Sequence, residues 1–226
     1  MKIAIVGKGK TGQSIINCLH KEQISGIYSS QQPATASELN KADVVIVFVP
    51  ASVFLETDLW SALLESQKPV VCGTTGLSWD EKRQQQIKQN NSIWIVADNF
   101  SLLMVLIHRC LKELGTAKSL IEDCRFSIEE THHLHKVDLP SGTALSWQSS
   151  LGVEPCPIQS YRKGDVKGQH TLSLETPFEK LTLVHEVHDR RLFAKGAIWA
   201  AQSLLEHQSR FATGCYQFNN WVEKVT

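Results

Sequence analysis

The chain lacks the marks of a membrane-spanning, nucleic-acid-binding or disulfide-framed protein. No apolar stretch approaches the length of a transmembrane helix. The first apolar run, Ile3-Ala4-Ile5-Val6, is too short for a signal peptide and ends in Gly7-Lys8. Charge of neither sign is in excess, because 23 Lys and Arg balance 23 Asp and Glu. That balance gives no basic footprint for nucleic acid or for an anionic membrane surface. The six cysteines (Cys18, Cys72, Cys110, Cys124, Cys156 and Cys215) include no CxxC pair, and several lie in apolar runs. Reduced thiols in a cytoplasmic protein are therefore expected, and structural disulfides are not. The tryptophans are dispersed without a stacking array and are assigned to cores and interfaces. No repeat or low-complexity segment interrupts the chain. What is left is an ordinary globular composition, 42% hydrophobic and 20% charged over 226 residues, enough for one large or two small domains with proper cores.

The first hundred residues alternate strand and helix patterns. Residues 2–6 predict a buried strand, residues 7–12 read Gly7-Lys8-Gly9-Lys10-Thr11-Gly12, and residues 13–20 predict a helix. Strand, G-x-G-x-x-G and helix form the dinucleotide-binding arrangement: tight turn, close backbone approach to a pyrophosphate, close helix–strand packing. Residues 42–50 and 69–72 read as strands covered on both faces, and residues 92–97 as a further strand. Helices are expected over 54–65 and from Ser78, whose hydroxyl and Glu81 would form a capping box. The pattern predicts a Rossmann-type doubly wound parallel sheet, with ligands at the C-terminal ends of its strands. Residues 7–12, Pro50-Ala51, Gly73-Thr74-Thr75-Gly76 and Ala97-Asp98-Asn99-Phe100 would then line one rim. The selector between nicotinamide dinucleotides is missing: Tyr28 is followed by Ser29-Ser30-Gln31, neither acid nor base. NADH and NADPH both stay open as cofactor.

Beyond residue 100 the rhythm changes. A helix is expected over 101–114, closed by Gly115, then a strand over 124–128 running into Glu129-Glu130-Thr131-His132-His133-Leu134-His135-Lys136-Val137-Asp138-Leu139-Pro140-Ser141-Gly142-Thr143. A short helix over 141–151 would present Gly142 and Thr143 at its N-terminus. Residues 172–174 and 181–188 alternate like paired antiparallel strands, and a last helix over 192–207 leads into a short tail. Together they predict a smaller α+β domain with an open mixed sheet. Joints near 99–101 and Lys195-Gly196 would suit hinges.

Three readings of the histidine segment compete. The histidines could be plain strand-face residues. They could bind a metal, although adjacent His132 and His133 point to opposite faces of an extended strand and no HExxH or Cys/His spacing occurs. Or one of His132 and His133 could be an acid catalyst beside an anion site made by Lys136 and the Gly142-Thr143 helix start. Imidazole exchanges protons near neutral pH, and a nearby ammonium stabilises negative charge as it forms. Hydride reduction of a conjugated C=N or C=C bond leaves a carbon that must be protonated, so the third reading complements the dinucleotide-binding half.

The segment from Glu130 to Thr143 resembles the E-x-H-H-x-x-K-x-D-x-P-S-G-T signature of the dihydrodipicolinate reductase family. The resemblance extends, in order, through residues 7–12 and 73–76, Asn99-Phe100-Ser101, Arg162-x-Gly164, Gly168-x-His170 and Arg190-x-x-Phe193-Ala194-x-Gly196-Ala197. It implies an NAD(P)H-dependent oxidoreductase acting on 4-hydroxy-tetrahydrodipicolinate in lysine and diaminopimelate biosynthesis. His132 would be the general acid and Lys136 its catalytic and substrate-binding partner, while His133, Ser141, Gly142, Thr143 and Arg190 would hold a dicarboxylate substrate. The cofactor, NADPH or NADH, would lie along Gly7, Lys8, Gly9, Lys10, Thr11, Gly12, Gly73, Thr74, Thr75, Ala97, Asn99 and Phe100. Residues 1–100, completed by 197–226, would form the dinucleotide-binding domain. Residues 101–196 would form the substrate-binding and oligomerisation domain of a homotetramer, with no metal. Three departures stand out: Asp98 where the family has proline, no acidic ribose ligand after Tyr28, and a shortened stretch between Ala144 and Arg162. An NAD(P)H sensor without catalysis, and a sister reductase of another amino-acid-derived substrate, are the alternatives.

Overall fold

Strands covered on both faces need near-continuous β-branched or apolar residues, and the first half of the chain supplies them. In the computed structural model, which describes residues 1–226, it runs β1 (Ile3–Val6), α1 (Lys10–Cys18), β2 (Ile24–Tyr28), α2 (Ala36–Leu39), β3 (Val44–Val47), α3 (Ala51–Glu56), α4 (Leu59–Ser66), β4 (Val70–Cys72), α5 (Glu81–Gln89) and β5 (Ile93–Val96). Every residue of β1, β3, β4 and β5 is buried.

Two local expectations are corrected. The single helix over 54–65 is split into α3 and α4 by Thr57, which leaves helical geometry at φ −131° and ψ 170°. Its hydroxyl donates to the Val53 carbonyl at 2.6 Å and accepts the Leu59 N–H at 3.3 Å, closing one helix and opening the next. Asp80, not Ser78, caps α5, accepting the Arg83 N–H at 2.9 Å. A carboxylate at this position also pairs with the Arg83 guanidinium at 2.9 Å, and Ser78 offers that guanidinium only its carbonyl.

The next stretch holds α6 (Leu102–Gly115), α7 (Ala117–Leu120), β6 (Arg125–His132), α8 (Gly142–Leu151), β7 (Ile158–Arg162), β8 (Gln169–Glu175) and β9 (Lys180–Glu186). The strands form a mixed sheet in the order β7-β6-β8-β9, with β6 parallel to β7 and antiparallel to β8. Phe126, Ile128, Leu172 and Leu174 point from one face into a core shared with Leu111, Trp147 and Leu151. The opposite face carries Glu129, Thr131, Tyr161, Thr171, Thr182 and Val184 and is open, Val184 being 54% exposed. Gly115 is required for a reason other than helix termination: a Cβ there would run into the Leu151 carbonyl, so it permits α6 and α8 to approach.

The chain then returns as α9 (Arg191–His207), β10 (Gly214–Gln217) and α10 (Phe218–Val225). Strand β10 completes an all-parallel sheet in the order β10-β5-β4-β3-β1-β2. By compactness the chain divides into one unit of Met1–Leu102 with Arg191–Thr226 and another of Leu103–Arg190. Lys195-Gly196 is not a joint. It lies inside α9, and a Cβ on Gly196 would strike the Phe100 carbonyl. The tail expected after residue 207 is an ordered strand and helix, with Trp221 fully buried and its indole N–H on Ser203 at 2.9 Å. Trp60 and Trp79 pack on the Trp94 ring at centroid distances of 5.3 and 6.1 Å, so three of the dispersed tryptophans meet in one core.

Candidate active site

In the first unit the sheet order reverses at β1, which has β2 on one side and β3 on the other. Doubly wound sheets bind ligands at that point. Gly7, at φ +114°, is packed so tightly against the Phe48 carbonyl that no Cβ fits. A Cβ on Gly12 would meet the Gly7 carbonyl, so α1 sits directly on the turn. Gly9 differs: nothing lies within 4 Å of its Cβ position, and as N-cap of α1 it leaves the helix start without a side-chain cap. An open backbone before unsatisfied helix N–H groups fits a pyrophosphate. Lys8 and Lys10 flank it, exposed, with Thr11 half-buried. Farther along the rim Gly73 lies on the Phe48 ring, Thr74 is buried and Thr75 exposed. Asn99 accepts the Ser101 N–H at 2.8 Å, and Ala97 ends the β5 edge half-buried. Phe100 is 1% exposed, its ring packed between Phe48 and Phe218, so its side chain belongs to the core and only its backbone borders the rim.

In the second unit β6 alternates Phe126, Ile128, Glu130 and His132 on its buried face. Continuing that face with an acid and a histidine puts two ionisable groups where apolar side chains are the norm. The Glu130 carboxylate is fully buried. One oxygen contacts His132 Nδ1. The other accepts from Arg162 Nη1 at 3.0 Å and from the Ser141 N–H at 3.3 Å. Burial works to raise the Glu130 carboxyl, but hydrogen bonds from partners including Arg162 and His132 hold it below the ordinary carboxylate value. An ionised carboxylate only accepts, so His132 Nδ1 carries the shared hydrogen and Nε2 is the nitrogen free to exchange a proton. Burial lowers the His132 pKa, Lys136 and Arg162 push the same way, and Glu130 only partly opposes them.

Ser141 caps α8 by accepting the Ala144 N–H at 3.2 Å, and its hydroxyl meets His170 Nε2 at 3.0 Å. With its N–H on Glu130, the Ser141 side chain is engaged within the protein at 1% exposure. Desolvation, reinforced by neighbouring His132 and His185, lowers His170 to about 3, so its ring stays neutral beside the serine hydroxyl. Glu130, His132 and His170 lie close enough to be considered as metal ligands. Yet both Glu130 oxygens are committed to cationic or N–H donors, which is the construction of a hydrogen-bond network.

The elements expected to bind an anion gather next to it. Lys136 Nζ lies 2.7 Å from one Asp138 oxygen, and the other accepts the Gly142 N–H at 3.3 Å. A carboxylate thus already bridges the lysine and the helix start. The Lys136 hydrogen bonds hold Asp138 below its usual pKa. Thr143 is half-buried in the first turn of α8. Arg190 Nη2 reaches His133 Nε2 at 3.3 Å, pairing two residues from distant parts of the chain. His135 is exposed, its ring 6.4 Å from that of His133, and it joins neither network. Residue-by-residue reading left Glu130, Arg162, Gly168 and His170 without roles. The signal for Glu130 was its place in the apolar alternation of β6; the others come from separate strands and loops and carry no local mark.

Comparison with known proteins breaks the chain at the same point near residue 102, while the second match runs on into the returning C-terminal stretch. The family description dihydrodipicolinate reductase, N-terminus, matches residues 1–100, and dihydrodipicolinate reductase, C-terminus, matches residues 104–222. The chain is 31% identical over 230 residues to the 4-hydroxy-tetrahydrodipicolinate reductase of Christiangramia forsetii, covering 93% of this chain and 95% of the relative. It is 30% identical over 226 residues to that of Bdellovibrio bacteriovorus, covering 97% and 95%. Among solved structures, dipicolinate-bound dihydrodipicolinate reductase from Paenisporosarcina shares the fold at TM-score 0.73 and 20% identity, over 96% of this chain and 97% of that one. The chain belongs to the dihydrodipicolinate reductase family of NAD(P)H-dependent oxidoreductases.

Proposed function

We propose that this chain reduces 4-hydroxy-tetrahydrodipicolinate to tetrahydrodipicolinate in lysine and diaminopimelate biosynthesis, consuming NADPH or NADH and releasing water. The observation that carries the reading is the Glu130-anchored His132 beside a lysine and helix start that already hold a carboxylate. NAD(P)H, when bound, supplies the hydride. Gly7, Gly9, Gly12 and the first N–H groups of α1 would hold its pyrophosphate, flanked by Lys8, Lys10 and Thr11, with Gly73, Thr74, Thr75, Ala97, Asn99 and Phe100 along the same rim. The turn after β2 offers Ser29, Ser30 and Gln31, which suits a carrier with or without a 2′-phosphate.

On the substrate side, Lys136, Gly142, Thr143 and the His133–Arg190 pair hold the two carboxylates. Ser141 contributes as the cap that fixes the α8 start. A dianion arriving beside His132 raises its pKa, since nearby negative charge favours the protonated ring. Loss of the substrate hydroxyl as water, with a proton from the neighbouring carbon, leaves a conjugated C=C–C=N unit. Once hydride had added to its far carbon, Nε2 would give its proton to the adjacent carbon left electron-rich, with Lys136 stabilising charge as it forms. The open face of the β7-β6-β8-β9 sheet is the surface through which four copies associate, and the six unpaired thiols suit a reducing, cytoplasmic setting.

Oxidation of NAD(P)H coupled to freshly made 4-hydroxy-tetrahydrodipicolinate tests the reading, with kcat/KM measured for each nicotinamide. Folded protein that turns over neither would refute it. Nicotinamide binding without turnover would favour a sensor, and activity with a different amino-acid-derived imine would favour a sister reductase.

A further inference from the structure

Glu130 has more partners than a general acid's companion needs. Its neighbours in register across the sheet are Ser160 on β7 and His170 on β8, and His170 is in turn paired with His185 on β9. This rung faces the buried side, and both His170 Nδ1 and His185 Nδ1 are buried without a hydrogen-bond partner. Uncompensated polar atoms of this kind are costly and uncommon, so the rung is not an economical way to fill a core. The expense falls where one carboxylate reaches three substrate-facing elements.

The first is His132, through Nδ1. The second is the start of α8, through the Ser141 N–H, with the Ser141 hydroxyl fixed in turn by His170. The third is the loop carrying Lys136, through Arg162. That guanidinium binds Glu130 and also donates to the Lys136 carbonyl at 3.3 Å and the Asp138 carbonyl at 2.5 Å. The free nitrogen of His132 is kept clear by a residue with no side chain. Gly168, at φ +152°, would place a Cβ 3.1 Å from His132 Nε2.

We infer that Glu130 is the positioning residue of the substrate half, the single buried carboxylate that sets the His132 tautomer and, through Arg162 and Ser141, registers Lys136 and the α8 start to it. Gly168 leaves Nε2 accessible. This rests on the reductase reading for its effect on turnover, but not for its effect on His132 itself. The groups facing that ring are Glu130 on its own strand, Arg162 on β7, His170 on β8 and Lys136 on the loop. Among these groups only Glu130 is an acid, so its removal lowers the His132 pKa.

Glu130→Gln separates the roles. The amide oxygen can still accept from Arg162 and Ser141, whereas the amide nitrogen faces Nδ1 as a donor and demands the other tautomer. The expected result is a kcat lower by about 10²-fold, the scale of a lost general acid, with KM for the dicarboxylate within about threefold. The alkaline limb of the kcat profile should move about one pH unit lower, because the protonated acid is lost earlier as pH rises. Glu130→Asp, which keeps the charge, should restore the limb. Arg162→Met should instead raise the dicarboxylate KM by about tenfold or more by releasing the Lys136 loop, the size of one charge-assisted contact.

Histidine-detected NMR titration of the full chain reads the His132 tautomer and pKa without turnover. An unchanged His132 titration and unchanged kcat in Glu130→Gln overturn the inference. If wild-type protein fails to reduce the substrate while Glu130→Gln still shifts His132, the reductase reading falls and the positioning role stands. Should Glu130→Gln fail to fold because Arg162 is left unpaired, the Glu130→Gln/Arg162→Met pair removes both charges. Because the loss of Arg162 offsets the pKa change, the His132 tautomer decides there: an unchanged Nδ1–H tautomer overturns the inference.

Discussion

Along the rim of the first unit, the parts that would face a ligand are backbone: the open Gly9, the uncapped start of α1 and the turn edges beside Gly73 and Asn99. In the second unit they are side chains, each held by another side chain: His132 by Glu130, Lys136 by Asp138, His133 by Arg190. Dinucleotide phosphates are bound by whatever backbone N–H groups the fold presents, so shape is the requirement. Giving a proton to one carbon requires a chosen nitrogen on a chosen tautomer, and only hydrogen-bonded side chains deliver that.

The comparison breaks most visibly where backbone clearance is removed. Gly7→Ala must place a methyl group on the Phe48 carbonyl from a positive φ. It should cost about 3 kcal/mol, at the upper end for overpacking, and abolish nicotinamide binding; thermal unfolding and fluorescence titration check it. The same variant should leave the His132 titration unchanged, since that chemistry lies wholly within the other unit.

Next in size are the side chains proposed to touch substrate. His132→Gln and Lys136→Ala should each lower kcat by about 10² or more while nicotinamide affinity stays at the wild-type value. Steady-state kinetics beside equilibrium binding will separate the two. If both variants keep near wild-type kcat, the assigned roles are wrong.

Stability against acid sharpens the contrast further. His170 falls from 6.5 to about 3 on folding. The unfolded chain therefore binds a proton that the folded one refuses, so stability is complete above about pH 6.5 and drains away as pH falls towards 3. Glu130, also lowered by folding, adds to the same slope at its acid end, because its folded-state advantage disappears once it is protonated. Urea unfolding across this range should show a shallower pH dependence in His170→Gln than in wild type. The smallest effect on chemistry belongs to the open sheet face: Val184→Lys should lower the assembly state in light scattering and leave the His132 titration where it was.

Which of these features the sequence disclosed follows from how local their causes are. The glycines of residues 7–12 announce themselves because turn, approach and packing are satisfied within one hexapeptide. His132 and Lys136 stand out by chemistry and by their place in a long signature. Glu130 did not, although its acid on the buried alternation of β6 was a visible anomaly, because its partners lie 11 and 32 residues away at Ser141 and Arg162. Gly115 and Gly196 look like a terminator and a hinge until the carbonyls of Leu151 and Phe100 arrive beside them. The break at Thr57 needed one hydroxyl serving two helices. Strand β10 is short, and β5 supplies its hydrogen-bonding partner from far upstream.

If Lys136 and Gly142 take a substrate carboxylate as proposed, the Asp138 carboxylate that already spans them makes ligand entry an exchange. An incoming acid does not fill an empty cationic hole; it displaces a tethered one, whose local concentration is in the millimolar range or above for so short a link. The lysine is therefore never left without a counter-charge between turnovers, and stray anions meet a competitor that cannot diffuse away. A molecule bearing two carboxylates at the right separation can outbid that tether, while one with a single carboxylate forfeits the second contact. On the proposed reading, selectivity for a dicarboxylate is thus enforced by the protein's own acid as much as by the groups that would greet the substrate.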